Sequence, residues 1–165
     1  VGVVMQDGYI FADTIAVNIA PGVEEIDDDR LFAAAEMANI RGFIESLPLG
    51  YNTTVGMNGH GLSEGQKQRL LIARVVYKNP EIIIFDEATN SLDANTEKVI
   101  VGNMKSFYKG KTVIVVAHRL STVRDADKIV VLDNGHITES GTHEELIKKE
   151  GAYYSLIKNQ LELGN

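Results

Sequence analysis

Three short apolar runs, Val1–Met5, Ile82–Phe85 and Thr112–Ala117, each close on a polar residue or pair: Gln6, Asp86-Glu87 and His118. Runs this short, rich in β-branched residues and not alternating with polar ones, read as strands buried on both faces. Helical periodicity fills the gaps between them. Over Ser63–Tyr77, Ser63 and Gln66 have the S-x-x-Q spacing of a capping box, Leu70, Ala73 and Tyr77 recur at i, i+3 and i+7, and Asn79-Pro80 ends the helix. Asn95–Tyr108 is a second helix, capped by Asp93 and stopped by Lys109-Gly110-Lys111. Strand, helix, strand, helix, strand specifies an α/β fold with a mostly parallel sheet and crossover helices.

The span between Gln6 and Ser63 interrupts that alternation. Pro21, Gly22 and the acidic residues Glu24, Glu25, Asp27, Asp28 and Asp29 read as a solvated turn region. Leu31–Ala38 and Phe43–Leu47 read as helical, and Tyr51–Gly61 reads as a loop. Residues 7–78 are therefore expected to form an inserted helical subdomain, with residues 1–6 and 79–165 supplying the α/β core and C-terminal helices. After the third strand comes a short helix near Ser121–Arg124. Lys128–Asp133 and His136–Ser140 then flank Asn134-Gly135, a hairpin signal, and this hairpin is expected to add an antiparallel edge to the sheet. Thr142 and Glu145 repeat the capping box before a helical tail over Thr142–Lys149 and Ala152–Leu161.

Composition excludes several classes. The chain has 165 residues, 44% of them hydrophobic and 24% charged, enough for a packed core and unlike a disordered chain. It lacks cysteine, so disulfides, thiolate nucleophiles and zinc–thiolate sites are out. A net charge of −7 is the wrong sign for general nucleic-acid or anionic-lipid binding. No apolar stretch approaches the roughly 20 residues that cross a bilayer, and with no basic stretch leading into an apolar one, no secretory signal is expected in these residues. A strand beginning at Val1 leads to the expectation that this is part of a longer chain. His60, His118, His136 and His143 lack ligand spacing, so a histidine metal site is not expected.

In open α/β sheets, ligands bind beyond the carboxyl ends of the strands. Singly, Gln6, Asp86-Glu87 and His118 fit structural roles. Three such positions on one rim are not demanded by packing. Leu62-Ser63-Glu64-Gly65-Gln66 adds a helix N-terminus whose first N–H groups are unpaired and favour an anion, with a glycine that costs helix stability but permits close approach.

Leu-Ser-Glu-Gly-Gln-Lys-Gln-Arg at 62–69, Ile-Ile-Ile-Phe-Asp-Glu-Ala-Thr at 82–89, Ser-Leu-Asp at 91–93 and Ala-His-Arg-Leu-Ser-Thr at 117–122 resemble the nucleotide-binding domain of ATP-binding cassette (ABC) transporters, in that family's order and spacing. The resemblance implies a fold like that of P-loop ATPases, ATP with Mg²⁺, a second nucleotide-binding domain and a transmembrane domain as partners, and a place at the cytoplasmic face of the membrane. It implies that Gln6 is the Q-loop glutamine, touching Mg²⁺ and the attacking water. It makes Ser63, Gly65 and Gln66 the signature loop, gripping the γ-phosphate of ATP held by the opposite subunit. Asp86 becomes the Walker B aspartate that holds Mg²⁺ through water, and Glu87 the general base. Ser91, Leu92 and Asp93 become the D-loop at the dimer seam, and His118 the switch histidine. Phosphoryl transfer is mostly positioning and charge stabilisation, which suits such a set.

Thr14–Ile19, Leu47–Thr53 with Val55-Gly56, and Gly135–Leu146 resemble exporter segments, and Gln66–Tyr77 with Asn90–Asn95 is similar to bacterial exporters that secrete peptides. The sequence departs from the pattern at Glu64, where the signature usually has glycine, and at Thr54, Met57 and Asn58, where exporters often carry charges. The phosphate loop G-x-x-x-x-G-K-[ST] is absent. Gly110-Lys111-Thr112 only imitates it, because Lys105 stands where the first glycine belongs and the triplet precedes a strand. The family's adenine-stacking aromatic residue would also lie before Val1, and the isolated chain is expected to be inactive. An ABC-type ATPase of DNA repair or chromosome maintenance is the alternative. The 57 positions from Gln6 to Ser63, without heptads, and the acidic charge favour the transporter.

Overall fold

The computed structural model describes residues 1–56, 59–86, 92–116 and 123–163, with side chains through Lys158. They fall into two compact units, Val1–Val116 and Ala117–Asn165. In the first, β1 (Gly2–Val4), β2 (Ile82–Asp86) and β3 (Thr112–Val116) form a parallel sheet in the order β1-β2-β3. Helices α1 (Ile15–Ile19), α2 (Asp28–Met37), α3 (Arg41–Ser46), α4 (Glu64–Lys78) and α5 (Ala94–Phe107) complete it.

The centre of this unit is α4. Leu70, Leu71, Ile72, Ala73, Val75 and Val76 are all buried on it, against α1, α2 and β1. Ser63 caps the helix as expected: its Oγ accepts the Gln66 N–H at 3.2 Å, and Gln66 Oε1 accepts the Ser63 N–H at 2.9 Å. Asn79 ends it in the left-handed conformation, φ 50°. At the same end Tyr77 is clamped by α2, whose Arg30 donates to the Tyr77 carbonyl at 2.6 Å and lies 4.7 Å over its ring.

The strands differ from expectation in one respect. Val4, Ile83 and Phe85 are buried against the helices, and a side chain at Gly2 would overlap Val75 and Pro80. On the alternate positions Val3 is 43% exposed, Ile82 40%, Ile114 49% and Val116 47%. Among the described residues, then, β1 and β2 are buried on one face, while on β3 Val115, opposite Phe85, is itself 37% exposed. Uniformly apolar strands carry a layer's worth of surface for both faces, but the helices of this unit cover the one that Val4 and Ile83 line. The first strand is also shorter than Val1–Met5, and both of those end residues are exposed.

Two further differences concern the helical region. Asp27 is not merely a turn residue: its carboxylate accepts the Arg30 N–H at 3.0 Å, and Asp28 and Asp29 lie in the first turn of α2, where the helix dipole favours negative charge. Helix α1 was not anticipated at all. Thr14 caps it, accepting the Val17 N–H.

The second unit contains β4 (Ile129–Asp133) and β5 (His136–Gly141), then α6 (His143–Lys149) and α7 (Ala152–Leu163). Asn134 and Gly135 both have positive φ, 48° and 77°, as a two-residue hairpin turn of type I′ requires. Among the described residues β4 and β5 pair antiparallel with each other as a two-stranded sheet. On this hairpin Ile129 and Val131 pack with Leu146, Tyr153 and Ile157 of the following helices. Glu139 fastens β5 to α7 by accepting the N–H groups of Ala152 and Tyr153 at 2.9 and 3.0 Å. The short helix expected near Ser121–Arg124 falls largely outside the described residues.

Tyr108, which follows α5, packs edge-on to Phe85 with ring centroids 5.9 Å apart, and burial pushes its hydroxyl up to about 12. An unfolded tyrosine ionises near 10. Between those values the unfolded chain releases a proton that the folded chain keeps, so stability falls as pH rises. Thermal melting between pH about 9 and about 11 is expected to show that decline, and Tyr108→Phe to flatten it. An equal decline in both proteins would place the alkaline sensitivity elsewhere.

Candidate functional site

Parallel pairing brings the carboxyl ends of β1, β2 and β3 to one edge of the sheet. Val4 lies opposite Phe85, and Asp86 opposite Val116. Asp86 closes β2 and Gln6 stands two residues beyond β1, both exposed at that edge. Glu87 and His118, which the sequence places just past β2 and β3, lie outside the described residues, as do Ser91, Met57 and Asn58.

At the start of α4, the capping box satisfies the Gln66 N–H internally. Helix geometry leaves the Glu64 and Gly65 N–H groups with no intrahelical partner, the arrangement that receives an anion. The Glu64 carboxylate accepts a 2.6 Å bond from Lys67 one turn on, so its charge is drawn toward an ammonium. This pair is exposed and contributes little to stability. Among the described residues, no hydrogen bond joins Gln6 or Asp86 to Ser63, Gly65 or Gln66. Rim and helix start are separate groups within this unit.

Asp93 has a plain local task. Its Oδ1 accepts the N–H groups of Asn95 and Thr96 at 3.1 and 3.0 Å, capping α5, and hydrogen bonding from the Thr96 side chain first, then from these N–H groups, holds its carboxyl below the usual range. Arg69 on α4 donates to the carbonyls of Gly65 at 3.2 Å and Asn39 at 2.8 Å. Burial lowers the Arg69 pKa, and the Asp93 charge partly offsets that effect. The imitation phosphate loop is structural: Gly110 turns the chain with φ 75°, and Lys111 donates to Asn79 Oδ1 at 2.8 Å and lies over Phe107.

A cleft of about 420 Å³ opens between Asp7–Ile10 and the loop at Gly56 and His60–Leu62, with Lys67 at its edge. Sequence reasoning did not find it, because its two walls are some fifty residues apart. It also passed over Asn18, which is fully buried and bonded to Arg74. The signal was present: a single amide among apolar residues, Ile-Ala-Val-Asn-Ile, at a buried helical position. No group of three metal-ligating side chains occurs among the described residues, and no helix there is long and apolar enough to cross a membrane.

The sequence profile of the ABC transporter family matches residues 1–90. A Staphylococcus aureus protein named as a multidrug export ATP-binding/permease protein is 51% identical over 160 residues, which is 97% of this chain and 28% of that protein. ABC transporter B family member 14 of Arabidopsis thaliana is 50% identical over 96% of this chain and 13% of its own length. The structure of a bacterial Atm1-family ABC exporter with ATP bound superposes with a TM-score of 0.90 and 46% identity, over 96% of this chain and 28% of that one. The chain thus spans little more than a quarter of the length of such exporters.

Proposed function

The chain belongs to the ABC transporter family, and from that premise we propose that it works as the C-terminal portion of the nucleotide-binding domain of a membrane exporter, hydrolysing ATP to drive transport. The observation that carries this reading is the match, over nearly the whole chain, to an exporter with ATP bound. The relatives are exporters rather than DNA-repair or chromosome-maintenance ATPases, so the alternative drops out.

On this reading residues 7–78 form the helical subdomain, residues 1–6 and 79–165 form the α/β core with its C-terminal helices, and two such domains meet around ATP at the cytoplasmic face of a membrane. Asp86 would hold the Mg²⁺ that accompanies ATP, and Gln6 stands on the same rim at the end of the neighbouring strand. Glu87 takes the proton of the attacking water, and His118 contacts the γ-phosphate. Ser63, Gly65 and Gln66 present the start of α4 to the γ-phosphate of ATP held by the partner domain, where the unpaired N–H groups and helix dipole meet its charge. Asp93 and its neighbours line the seam. The donor set fits Mg-ATP: an exposed carboxylate on the rim for the metal and a capped helix start for the phosphate. Names of the relatives favour drug-like cargo over the peptide cargo implied by the shorter likeness to peptide exporters.

Most contacts to the β- and γ-phosphates in this enzyme class come from the phosphate loop and its lysine, which these 165 residues lack. The chain alone is therefore expected to bind Mg-ATP with a dissociation constant weaker than about 100 µM and to show no turnover, while a longer polypeptide supplying that loop ahead of Val1 hydrolyses ATP at about 1 s⁻¹ or faster. Calorimetric titration and phosphate release decide it. A longer polypeptide that contains an intact loop yet releases no phosphate overturns the proposed function.

A further inference from the structure

Asn18 and Arg74 carry none of the roles assigned above, yet they join the segment after Gln6 to α4. Asn18 is fully buried. Its Oδ1 accepts the Phe11 N–H at 2.8 Å and an Arg74 Nη2 bond at 3.2 Å; its Nδ2 donates to the carbonyls of Phe11 and Thr14, each at 3.0 Å. Arg74 donates through Nε to the Asn18 carbonyl at 2.7 Å and through Nη1 to the Tyr9 carbonyl at 3.0 Å, and its guanidinium lies 5.2 Å over the Phe11 ring. Gly8 presses so closely on Leu71 that a β-carbon there would overlap that side chain. The segment just after Gln6 is thus fastened to α4 at Leu71 and Arg74 and to α1 at Asn18.

Helix α4 is a 15-residue rod whose other end is the Ser63 cap. An α-helix of that length transmits displacement along its axis with little bending. A stabilising network needs no particular direction. This one binds the backbone of Tyr9 and Phe11, with Gly8 packed on Leu71, in the segment that leads out of the strand rim, and that backbone cannot shift without α4 or without breaking bonds to a buried amide.

We infer that Asn18 and Arg74 are positioning residues for the ATPase, keeping Gln6 on the rim and the Ser63 loop at the helix start in one register. The inference rests on the proposed function. Neither residue touches nucleotide in that scheme, so their loss misplaces groups that act in turnover and leaves ATP affinity alone. A misplacement of about 1 Å lowers turnover by up to about 10²-fold.

The test uses the full-length exporter, with Arg74→Lys, Asn18→Ser and the double variant, turnover being normalised to sites counted by stoichiometric Mg-ATP binding. Each single variant is expected to keep KM for Mg-ATP within about twofold and to lower kcat per site by about tenfold. Because both cut the same tie, the double variant is expected to fall no more than about threefold below the worse single one, against about tenfold for independent residues. Glu87→Gln is run alongside. If it abolishes hydrolysis while the variants turn over like wild type, or their losses multiply, the positioning role is wrong and the proposed function stands. If Glu87→Gln remains active, the proposed function falls and this inference with it. Should the variants not assemble, amide exchange in the 165-residue chain decides. Arg74→Lys is expected to speed exchange at Phe11 by at least about tenfold relative to Ile83, and equal acceleration at both overturns the tie.

Discussion

Glu87→Gln in the full-length exporter leaves Mg-ATP binding within about twofold of wild type and lowers hydrolysis by about 10²-fold or more. The residue follows Asp86 at the end of an apolar strand, so the proposed metal-holding carboxylate and the proposed base are adjacent in sequence but differ in task. An apolar surrounding raises a carboxylate toward the pKa at which it works as a base near neutral pH, and in the sequence Glu87 comes just after the apolar run Ile82–Phe85. Glutamine keeps the size and the hydrogen-bonding oxygen but cannot take a proton. Phosphate release and nucleotide binding are measured on the same preparation. Turnover near the wild-type rate would remove Glu87 from the role of base.

Ser63→Arg, placed in a Glu87→Gln background so that ATP persists, abolishes nucleotide-driven pairing of two domains. Two effects act together. Arginine offers no acceptor to the Gln66 N–H, which costs the capping bond and about 1 kcal/mol. More important, a long side chain fills the space in which the Glu64 and Gly65 N–H groups must come within hydrogen-bond distance of a phosphate. Ser63→Ala separates the two, since it loses the cap without filling the space, and pairing is expected to weaken by about tenfold rather than vanish. Sedimentation with Mg-ATP reads both variants. Undiminished dimerisation by Ser63→Arg would withdraw the signature assignment.

What the sequence determined by itself is local. The capping boxes at Ser63–Gln66 and Thr142–Glu145, the Asp93 cap and the Asn134-Gly135 turn each depend on side-chain and main-chain groups within a few residues, so their geometry follows wherever the chain goes. The parallel direction of β1, β2 and β3, and with it the common edge of Gln6 and Asp86, was legible because crossover helices between short apolar strands favour it; the order β1-β2-β3 was not. Tertiary structure decided the rest. Val3 and Ile114 look as apolar as Val4 and Ile83, and only the packing of α4 against one face separates exposed from buried. Ile129 and Val131 pack on Leu146 and Tyr153, a contact that the Asn134-Gly135 turn signal does not specify. The bond from Arg74 to the Asn18 carbonyl spans 56 positions. No local propensity encodes such a contact, because its free energy exists only once α1 and α4 are packed and the amide between them has been withdrawn from water.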